Sequence, residues 1–596
     1  MSLLMIVVCS AVLLTVAYWT YGPILARLLQ LNPHTQTPAV ELRDDVDYQP
    51  LEPNALLSQH FSAIAAAGPI VGPILAGVMF GWLPALIWIL VGSIFVGGVH
   101  DMSALVASIR HKARSIAEVV RDHMSRRAFV LFLTFVWLAL VYIIVAFTDV
   151  TARSFVGQVP MEDGTTVPGA AIASSSLMYL ALPIVMGLLL RYTRLSINAA
   201  TVIFLPLVGL SIYLGPQLPF DLTAVLKTFI PNATDDLSRQ WWDVLLLIYC
   251  CIASVVPMWL LLQPRGHLGG YFLYVALIGG AVGLIISSLS GEEAIQYPAF
   301  TAWTTKDGDA LFPILFITIA CGACSGFHSL ICSGTTSKQL RVETDARLIG
   351  YGAMLLEGMV AVLSLSCVMR LTQSNPLVAE VKAVKPNLVY AVGIGTFLET
   401  FHIPPQYAIS FALMAFTTFV YDTLDVCTRL GRFIIQELTG WQDARGKWLG
   451  TILTAGVPVF FVTQTMTDID GKVAPLWRVF WSLFGASNQL LAALTLLGVT
   501  TWLWRTRRAW WVWPVAGLPT AWMYTMSTWA LVRMIVGRVQ TLQPGPGYVS
   551  NLLVIGISSL LVILAVLMLV EAIRALFPAR PSTGEPTAPA TVPATA

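Results

Sequence analysis

The pair His100-Asp101 lies in an apolar segment that is long enough to cross a membrane. An imidazole beside a carboxylate can take up and release a proton near neutral pH. Ionisable side chains inside a membrane are costly, and they usually face a partner or a water-filled cavity. Two interpretations stay open, since the pair either carries protons or forms a helix-end ion pair with the region of Arg110.

A second histidine, His328, follows a glycine-rich interruption of another apolar segment. The run at 321–329 reads Cys-Gly-Ala-Cys-Ser-Gly-Phe-His-Ser, and Ser-Gly-Thr-Thr follows at 333–336. Backbone N–H groups freed by a helix break, together with hydroxyls, suit a carboxylate ligand. The alternative is a packing face of small residues. The ligand interpretation assigns binding to Gly322, Ser325, Gly326 and Ser329, and proton transfer to His328.

An earlier interruption is the run Gly-Pro-Ile-Val-Gly-Pro at 68–73. Proline removes a backbone donor and clashes with the preceding helical turn. Broken backbone at membrane depth is tolerated only where protein or a wet cavity surrounds it, and in transporters it points to the substrate site. We therefore expect a second group of binding residues here: Gly68, Pro69, Gly72 and Pro73.

Several carboxylates also fall in apolar segments. Asp425 and Arg429 are four residues apart and can pair on one helical face, which Asp422 shares. Two crowded carboxylates with one arginine can hold a proton, although a structural pair at the helix end is the favoured interpretation. Glu357 is a further buried candidate. The proton-coupling set that we retain is His100, Asp101, His328, Glu399, Asp422 and Asp425.

Other polar positions have simpler interpretations. Asp149 with Arg153 is a gate or an interface pair, and Asn488-Gln489 is expected to bond between helices. Cys321 and Cys324 form a C-x-x-C, but no second cysteine pair or nearby histidine pair completes a zinc set. Packed thiols are favoured, and we predict neither a metal nor a cofactor.

A membrane-embedded enzyme is a rival function. Ser325 or Ser333 with His328 offers a nucleophile and a base, but no nucleophile elbow or zinc-protease motif frames them. No nucleotide-binding motif appears either, so we expect no nucleic-acid partner and no direct use of ATP.

The composition places these residues in a polytopic membrane protein. Of 596 residues, 57% are hydrophobic and 11% are charged, with a mean hydropathy of +0.76. Soluble proteins carry about 25% charged residues. We predict an all-α protein with about fifteen full spans and one shorter segment. The segments are 3–29, 60–80, 82–109, 128–148, 170–190, 195–214, 243–263, 270–290, 310–332, 350–372, 387–401, 404–427, 447–466, 476–500, 510–534 and 549–577.

Lysine and arginine in short loops predict the orientation. Basic residues cluster at 110–127, 191–194, 338–347, 429–432 and 505–508. All of these fall on one side, the cytoplasmic side, if 387–401 is re-entrant. The N-terminus is then outside and the C-terminus inside, and the spans 60–80 and 310–332 run in opposite directions. The proline-rich tail 578–596 is expected to be disordered.

Six blocks of sequence resemble the carbon starvation protein A family. They cover roughly residues 1–535 and are His60 to Pro73, Gly81 to Asp101, Gly326 to Thr336, Gly350 to Gly358, Thr423 to Arg432 and Leu483 to Leu491. Where the family pattern often has two histidines before the phenylalanine, Gln59 precedes His60. The chain is also shorter than the longer enteric members.

The resemblance implies an inner-membrane transporter that scavenges nutrients when carbon runs short. Members are linked to peptide uptake and to proton-coupled pyruvate uptake. The family is grouped with the amino acid–polyamine–organocation transporters, which implies an inverted-repeat fold with two discontinuous helices. It defines no set of functional residues that can be carried over position by position.

The sequence therefore predicts a proton symporter for a short peptide or pyruvate. Its regions are a transporter core at 1–535, a final transmembrane helix at 536–577 and the tail. A channel-like carrier, or one coupled to another ion, is the alternative.

Overall fold

The computed structural model describes residues 2–65, 67–160, 166–289, 294–306, 308–381, 384–467, 473–545 and 547–577. Helices dominate these ranges, as the apolar composition requires. They are α1 (Leu3–Leu28), α2 (Pro38–Glu41), α3 (Pro53–Ile64), α4 (Gly68–Phe80), α5 (Trp82–Gly92), α6 (Gly98–Arg110), α7 (Ile116–His123), α8 (Arg126–Ser154), α9 (Gly169–Tyr192), α10 (Ile197–Leu214), α11 (Leu222–Phe229), α12 (Asp235–Val255), α13 (Leu262–Leu289), α14 (Leu311–Thr318), α15 (Gly326–Ile331), α16 (Ala353–Met369), α17 (Pro386–Glu399), α18 (Pro405–Thr439), α19 (Ala444–Val462), α20 (Leu476–Arg507), α21 (Leu518–Gln540) and α22 (Tyr548–Leu576).

In the part of the chain that the structure describes, four short strands form two antiparallel pairs. In the first, β1 (Gln158–Pro160) pairs with β2 (Thr166–Pro168), and in the second, β3 (Met466–Thr467) pairs with β4 (Val473–Ala474). Turns of π-helix occur at Ser93–Gly97, Cys332–Thr336, Arg347–Gly352 and Trp513–Gly517. Such turns are rare in proteins overall, and many of those that occur lie at functional sites.

Each of the sixteen predicted segments contains helix. Among the described residues, ten helices are long and apolar enough to cross a membrane, or up to eleven if the bent pair α3–α4 counts as one span. That is fewer than the fifteen full spans expected. The other segments are shorter, interrupted or richer in polar residues, such as α17 with 14 residues. Helices inside a large bundle contact protein rather than lipid, so they do not need to be apolar all round.

The basic loops lie on one face, as predicted. Arg110 donates to the Leu29 carbonyl at 2.8 Å, and Arg505 donates to the His123 carbonyl at 2.6 Å. Since α1 crosses once and ends on this face, the N-terminus starts on the other. Glu571, near the end of α22, accepts from Ser125 at 2.7 Å, so the C-terminal end of α22 lies on the basic face. The positive-inside rule makes that face cytoplasmic.

This orientation predicts opposite labelling of two introduced cysteines. In intact cells, an impermeant maleimide should react with Thr304→Cys, because residue 304 is exposed on the outer face. Lys112→Cys, exposed on the basic face, should react only after the membrane is permeabilised. The unsubstituted chain is the control, since of its eight cysteines only Cys9 is exposed. Labelling of residue 112 from outside would reverse the orientation.

The segment between α16 and α18 does not cross the membrane. α18 ends at Thr439 on the basic face, so its start lies on the opposite face, where α16 also ends. α17 therefore enters and leaves on the outer side. The predicted re-entrant segment at 387–401 is confirmed by this geometry.

Two spans are interrupted close to the predicted runs, although the residues at 68–73 and 326–329 are themselves helical. α3 and α4 meet at an angle of 45°, and the Gly-Pro run begins α4, where the missing N–H of Pro69 leaves no helical bond unmade. α14 ends at Thr318, and the chain stays non-helical until α15 begins at Gly326. The two spans run in opposite directions, as an inverted repeat requires. The predicted class, an all-α polytopic membrane protein with discontinuous helices, is confirmed.

The two breaks pack directly on each other. A methyl group on Gly68 would overlap the Cys321 side chain, and one on Gly72 would overlap the backbone of Thr318 and Ile319. Only glycine allows backbones to approach this closely.

The predicted regional boundaries stay predictions: the last helix begins at Tyr548, and the tail from Pro578 lies outside the described residues.

Candidate functional site

Four ionisable side chains form a chain of contacts beside the breaks. We call His100, Asp101, His328 and Glu357 the histidine–carboxylate cluster, and all four are fully buried. His100 Nδ1 lies 2.7 Å from one Asp101 oxygen, and His328 Nδ1 lies 2.8 Å from the other. His328 Nε2 lies 3.1 Å from Glu357. His328 is therefore held between two carboxylates.

Three elements bring this cluster together. Asp101 comes from the first turn of α6, directly after the π-helical turn at Ser93–Gly97, while His328 lies on α15 and Glu357 on α16. A methyl group on Gly97 would overlap the Ala323 carbonyl, so the absence of a side chain lets α6 reach the broken helix.

The predicted alternative for the His100-Asp101 pair is wrong. Arg110 is nine residues from Asp101, about 14 Å along a helix. It pairs with Glu343 at 2.9 Å and not with Asp101. The pair therefore lies inside the bundle rather than at the inner helix end.

The break before α15 is filled by amide side chains from α20. Asn488 accepts from the Phe327 N–H at 2.8 Å and donates to Ser325 at 3.0 Å, and Gln489 donates to the Cys324 carbonyl at 2.8 Å. Buried backbone groups freed by a helix break need such partners. The predicted interhelical role of Asn488-Gln489 is confirmed.

The residues predicted to bind substrate are brought together but are closely packed. Ser329 donates to the Gly326 carbonyl at 2.7 Å and lies 2.9 Å from Thr495. All members of the predicted set are buried: Gly68, Pro69, Gly72, Pro73, Gly322, Ser325, Gly326 and Ser329. Their role in binding stays a prediction.

A second ionic group, which we call the arginine–carboxylate cluster, lies between α13 and α18. Arg265 pairs with Asp422 at 2.8 Å and with Asp425, whose carboxylate also accepts from Tyr249 at 2.8 Å. Ser62 of α3 donates to Asp422. The prediction that Asp422 and Asp425 share one arginine is confirmed, but the expected partner was wrong.

Arg429 makes other contacts. It donates to the carbonyls of Ala253 and Val256 at 2.9 Å and 2.5 Å and lies 3.4 Å from Asp47. A spacing of four residues allows a pair within one helix, but it carries no information about a competing arginine on another helix. The predicted segments 243–263 and 270–290 leave Arg265 in the connection between them, whereas the structure places it in the first turn of α13.

Glu399 does not belong to either cluster. It ends α17 and is exposed. The expectation of a buried carboxylate at this position was wrong, because the re-entrant helix α17 ends at the membrane surface rather than inside the bundle.

Asp149 and Arg153 pair at 3.0 Å, as predicted, within a larger network. Arg239 of α12 contacts Asp149 at 2.9 Å and Asp243 at 2.7 Å. The Trp477 N–H also donates to Asp149 at 3.0 Å. The network joins α8, α12 and α20 near the outer face.

Cys321, His328 and Glu357 offer ligand atoms within 4.8 Å of one another, a set that could hold a metal ion. Both His328 nitrogens, however, already contact carboxylates, and Cys321 lies 3.5 Å from Ser325. Each of the eight cysteines is a free thiol in the described structure. Among the described residues, His328 Nε2 and both Glu357 carboxylate oxygens are buried without a hydrogen-bond partner. The expected absence of a metal stays a prediction.

The serines of the rival enzyme mechanism have other partners. Ser325 bonds Asn488, and Ser333 donates to the Ser329 carbonyl at 2.7 Å. His328 faces carboxylates. The geometry of a serine nucleophile beside a histidine base is therefore not formed.

A small enclosed cavity of about 10 Å³ lies between α3, α13 and α18. This volume is about the smallest that can hold a single water molecule. The residues that line it are Gln59, His60, Ala63, Leu262, Gly266, Ile331, Thr335, Thr336, Asp422 and Val426.

A much larger cavity, the vestibule, opens to the basic face with a volume of about 1140 Å³. Its charged lining residues include Asp47, Arg114, Lys338, Arg429, Arg432 and Glu437. Burial lowers the pKa of Lys338, and Asp47 partly opposes the shift. The Lys338 ammonium lies 4.1 Å from the Phe433 ring centre, within the range of a cation–π contact.

Comparison with known proteins places this architecture in one family. The model of the family described as Carbon starvation protein CstA matches residues 2–387 and 377–530. The chain is 31% identical over 583 residues to the Peptide transporter CstA of Escherichia coli (strain K12), covering 87% of this chain and 79% of the relative. It is 30% identical over 609 residues to the Pyruvate/proton symporter BtsT of the same organism, covering 89% and 81%.

Two solved structures show a limited similarity to this chain. An Eremococcus coleocola manganese transporter has a TM-score of 0.46 and 12% identity, covering 90% of this chain and 99% of its own. MhsT in complex with L-phenylalanine has a TM-score of 0.44 and 11% identity, covering 87% and 98%.

Proposed function

This chain belongs to the carbon starvation protein CstA family, and on that premise we propose that it takes up a short peptide or pyruvate together with a proton. It is a multi-pass membrane protein and a nutrient transporter of that family. Its proposed location is the bacterial inner membrane, and no catalytic step is proposed. The names of two relatives, a peptide transporter and a pyruvate/proton symporter, support the substrate class.

The histidine–carboxylate cluster is the observation that carries proton coupling. With His328 protonated and both carboxylates ionised, the cluster has a net charge of −1, and one more proton makes it neutral. Burying net charge is costly, so a closed cluster favours the neutral form. Opening to water reduces that cost and permits release of the proton.

The location of the cluster explains how a proton can bias transport. Its members lie on α6, α15 and α16, and α15 is half of an interrupted span. Interrupted helices of transporters border substrate sites and move between inward and outward states. A proton that stabilises one arrangement of α15 shifts the population of those states.

The vestibule supports a carboxylate-bearing substrate. Seven basic side chains and four carboxylates line it, so basic groups are in excess. Clefts lined mainly by one sign of charge attract ligands of the opposite sign.

The channel alternative has less support, because a passive pore needs no buried acid–base cluster.

Uptake by proteoliposomes that contain only this protein tests the proposal. Labelled pyruvate and a labelled dipeptide are offered separately, with and without an inward proton gradient. Accumulation of one above its external concentration, lost on addition of a protonophore, is the expected result. Downhill flux that does not depend on the proton gradient would favour the channel. Accumulation driven by a gradient of another ion would show that this ion, and not the proton, is coupled to uptake.

A further inference from the structure

The arginine–carboxylate cluster is an unusual feature of the core because a guanidinium and two carboxylates are all buried there. Arg265 is fully buried. Its guanidinium carbon lies 5.5 Å from the ring centre of Tyr249 and 5.4 Å from that of Tyr421. Two aromatic faces, two carboxylates and no open water surround this cation. A buried guanidinium needs this degree of pairing. One of its carboxylate partners can therefore be exchanged only for another anion.

Asp422 separates Arg265 from the enclosed cavity. It lines the cavity and also pairs with Arg265 at 2.8 Å, while Gly266, the residue after Arg265, lines the same cavity. A carboxylate that entered the cavity would therefore meet Asp422 first and the guanidinium behind it.

Several polar atoms around this cavity are unpaired. Among the described residues, His60 Nε2, Gln59 Oε1 and Arg265 Nη2 are buried without a hydrogen-bond partner. His60 Nδ1 lies 2.8 Å from Thr336, which fixes the ring and directs its other nitrogen elsewhere. Unpaired buried polar atoms cost free energy, so these atoms mark a place where a water molecule or a polar ligand group is stabilised.

We infer that Arg265 binds the carboxylate of the nutrient, and that this carboxylate replaces Asp422, which takes up one proton as it is displaced. The inference rests on the proposed uptake of a carboxylate-bearing nutrient and names the site where it binds. The proton comes from the compartment that supplies the nutrient and bonds to one Asp422 oxygen. No covalent bond of the nutrient changes.

The charge balance requires the proton. The arriving carboxylate adds one negative charge to a cluster that already holds two carboxylates and a single guanidinium. Protonation of Asp422 removes one negative charge, so the net charge is the same before and after binding. The nutrient carboxylate and the proton therefore enter the buried site as an electroneutral pair.

A route from this site to the cytoplasmic face leads through the vestibule. Thr335 and Thr336 of the π-helical turn line the enclosed cavity, while Ser333 and Gly334 of the same turn line the vestibule. The turn is thus the wall between the two spaces. Unwinding it would join them, which gives the cavity the volume that a nutrient needs.

The test compares competitors with and without a carboxylate. Full-length protein in proteoliposomes takes up a labelled dipeptide or pyruvate, and the competitors are the free acid and its amide. Wild-type protein should prefer the acid by about 10- to 100-fold, the range expected for a charge-assisted bond. In Arg265→Gln the preference should fall to about twofold or less, and in Arg265→Lys it should be intermediate because a point charge replaces the planar fork.

Asp422→Asn gives a signature that a merely structural role would not produce. The variant removes both the competing carboxylate and the proton acceptor. It should bind the acid more tightly than wild-type protein, with an affinity that does not change between about pH 6 and 8. Ligand-induced shifts of the unfolding temperature in detergent report binding even where a variant no longer transports.

Arg239→Gln is the matched control. Arg239 is also a buried arginine, paired with three carboxylates, but it belongs to the network at the outer face. The folded fraction of the control variant should keep the preference for the acid over the amide. Undiminished preference in both Arg265 variants, or weaker binding in Asp422→Asn, would overturn the inference while the proposed uptake stands. Absence of uptake of both nutrients by wild-type protein would overturn the proposed function and this inference with it.

Discussion

Proton-driven accumulation of the nutrient is expected to fall at least about 100-fold when Asp101 is replaced by Asn. The Asp101 carboxylate contacts both His100 and His328, at 2.7 Å and 2.8 Å. Each charge-assisted bond of this kind contributes about 1.5–3 kcal/mol, and the neutral amide weakens both. The cluster also loses the charge that holds a proton on His328. The shape of the side chain is kept, so the amount of protein in the membrane should not change.

Two measurements separate loss of coupling from loss of binding. Accumulation of labelled nutrient under an inward proton gradient should vanish in Asp101→Asn and in His328→Ala. Exchange of labelled for unlabelled nutrient at equal pH should be less affected, because it needs no net proton movement. Glu380→Gln, which alters an exposed carboxylate before α17, is the control and should transport normally. Full accumulation in both cluster variants would remove these residues from the mechanism.

The interruptions of the helices were predictable from sequence because their cause is local. Proline and glycine act on the backbone of their own turn, so the breaks before Gly68 and Gly326 could be located without knowing what packs against them. The basic loops were predictable for a similar reason. Each cluster of arginines reports its side of the membrane independently, and five clusters agree.

The partners of the buried charges were not predictable in the same way. Asp425 and Arg429 have the right spacing for a pair, yet Arg265 on another helix takes both carboxylates. Glu399 lies in an apolar stretch, yet its helix ends at the surface. Sequence spacing describes one helix at a time, and which helices touch is decided by packing across the whole bundle. Glu357 entered the cluster through such a contact between α15 and α16.

Replacing Gly72 by Ala tests whether the contact between the two breaks is needed for folding. The added methyl group would overlap the Thr318 carbonyl and the Ile319 backbone, and backbone cannot rotate away as a side chain can. Overpacking of this kind costs about 1–3 kcal/mol. We expect a lower unfolding temperature in detergent, less folded protein in the membrane, and uptake per folded molecule that is also reduced, because α4 and α14 must separate.

Gly209→Ala is the matched control for this substitution. Gly209 lies within α10, and a methyl group there would meet nothing within 4 Å among the described residues. Alanine favours helix over glycine by about 1 kcal/mol, so the control should be as stable as the wild-type chain or more stable. If Gly72→Ala matched the control in both unfolding temperature and uptake, the two interrupted spans would not be in the close contact described here. Their shared position would then not explain why glycine occurs beside both breaks.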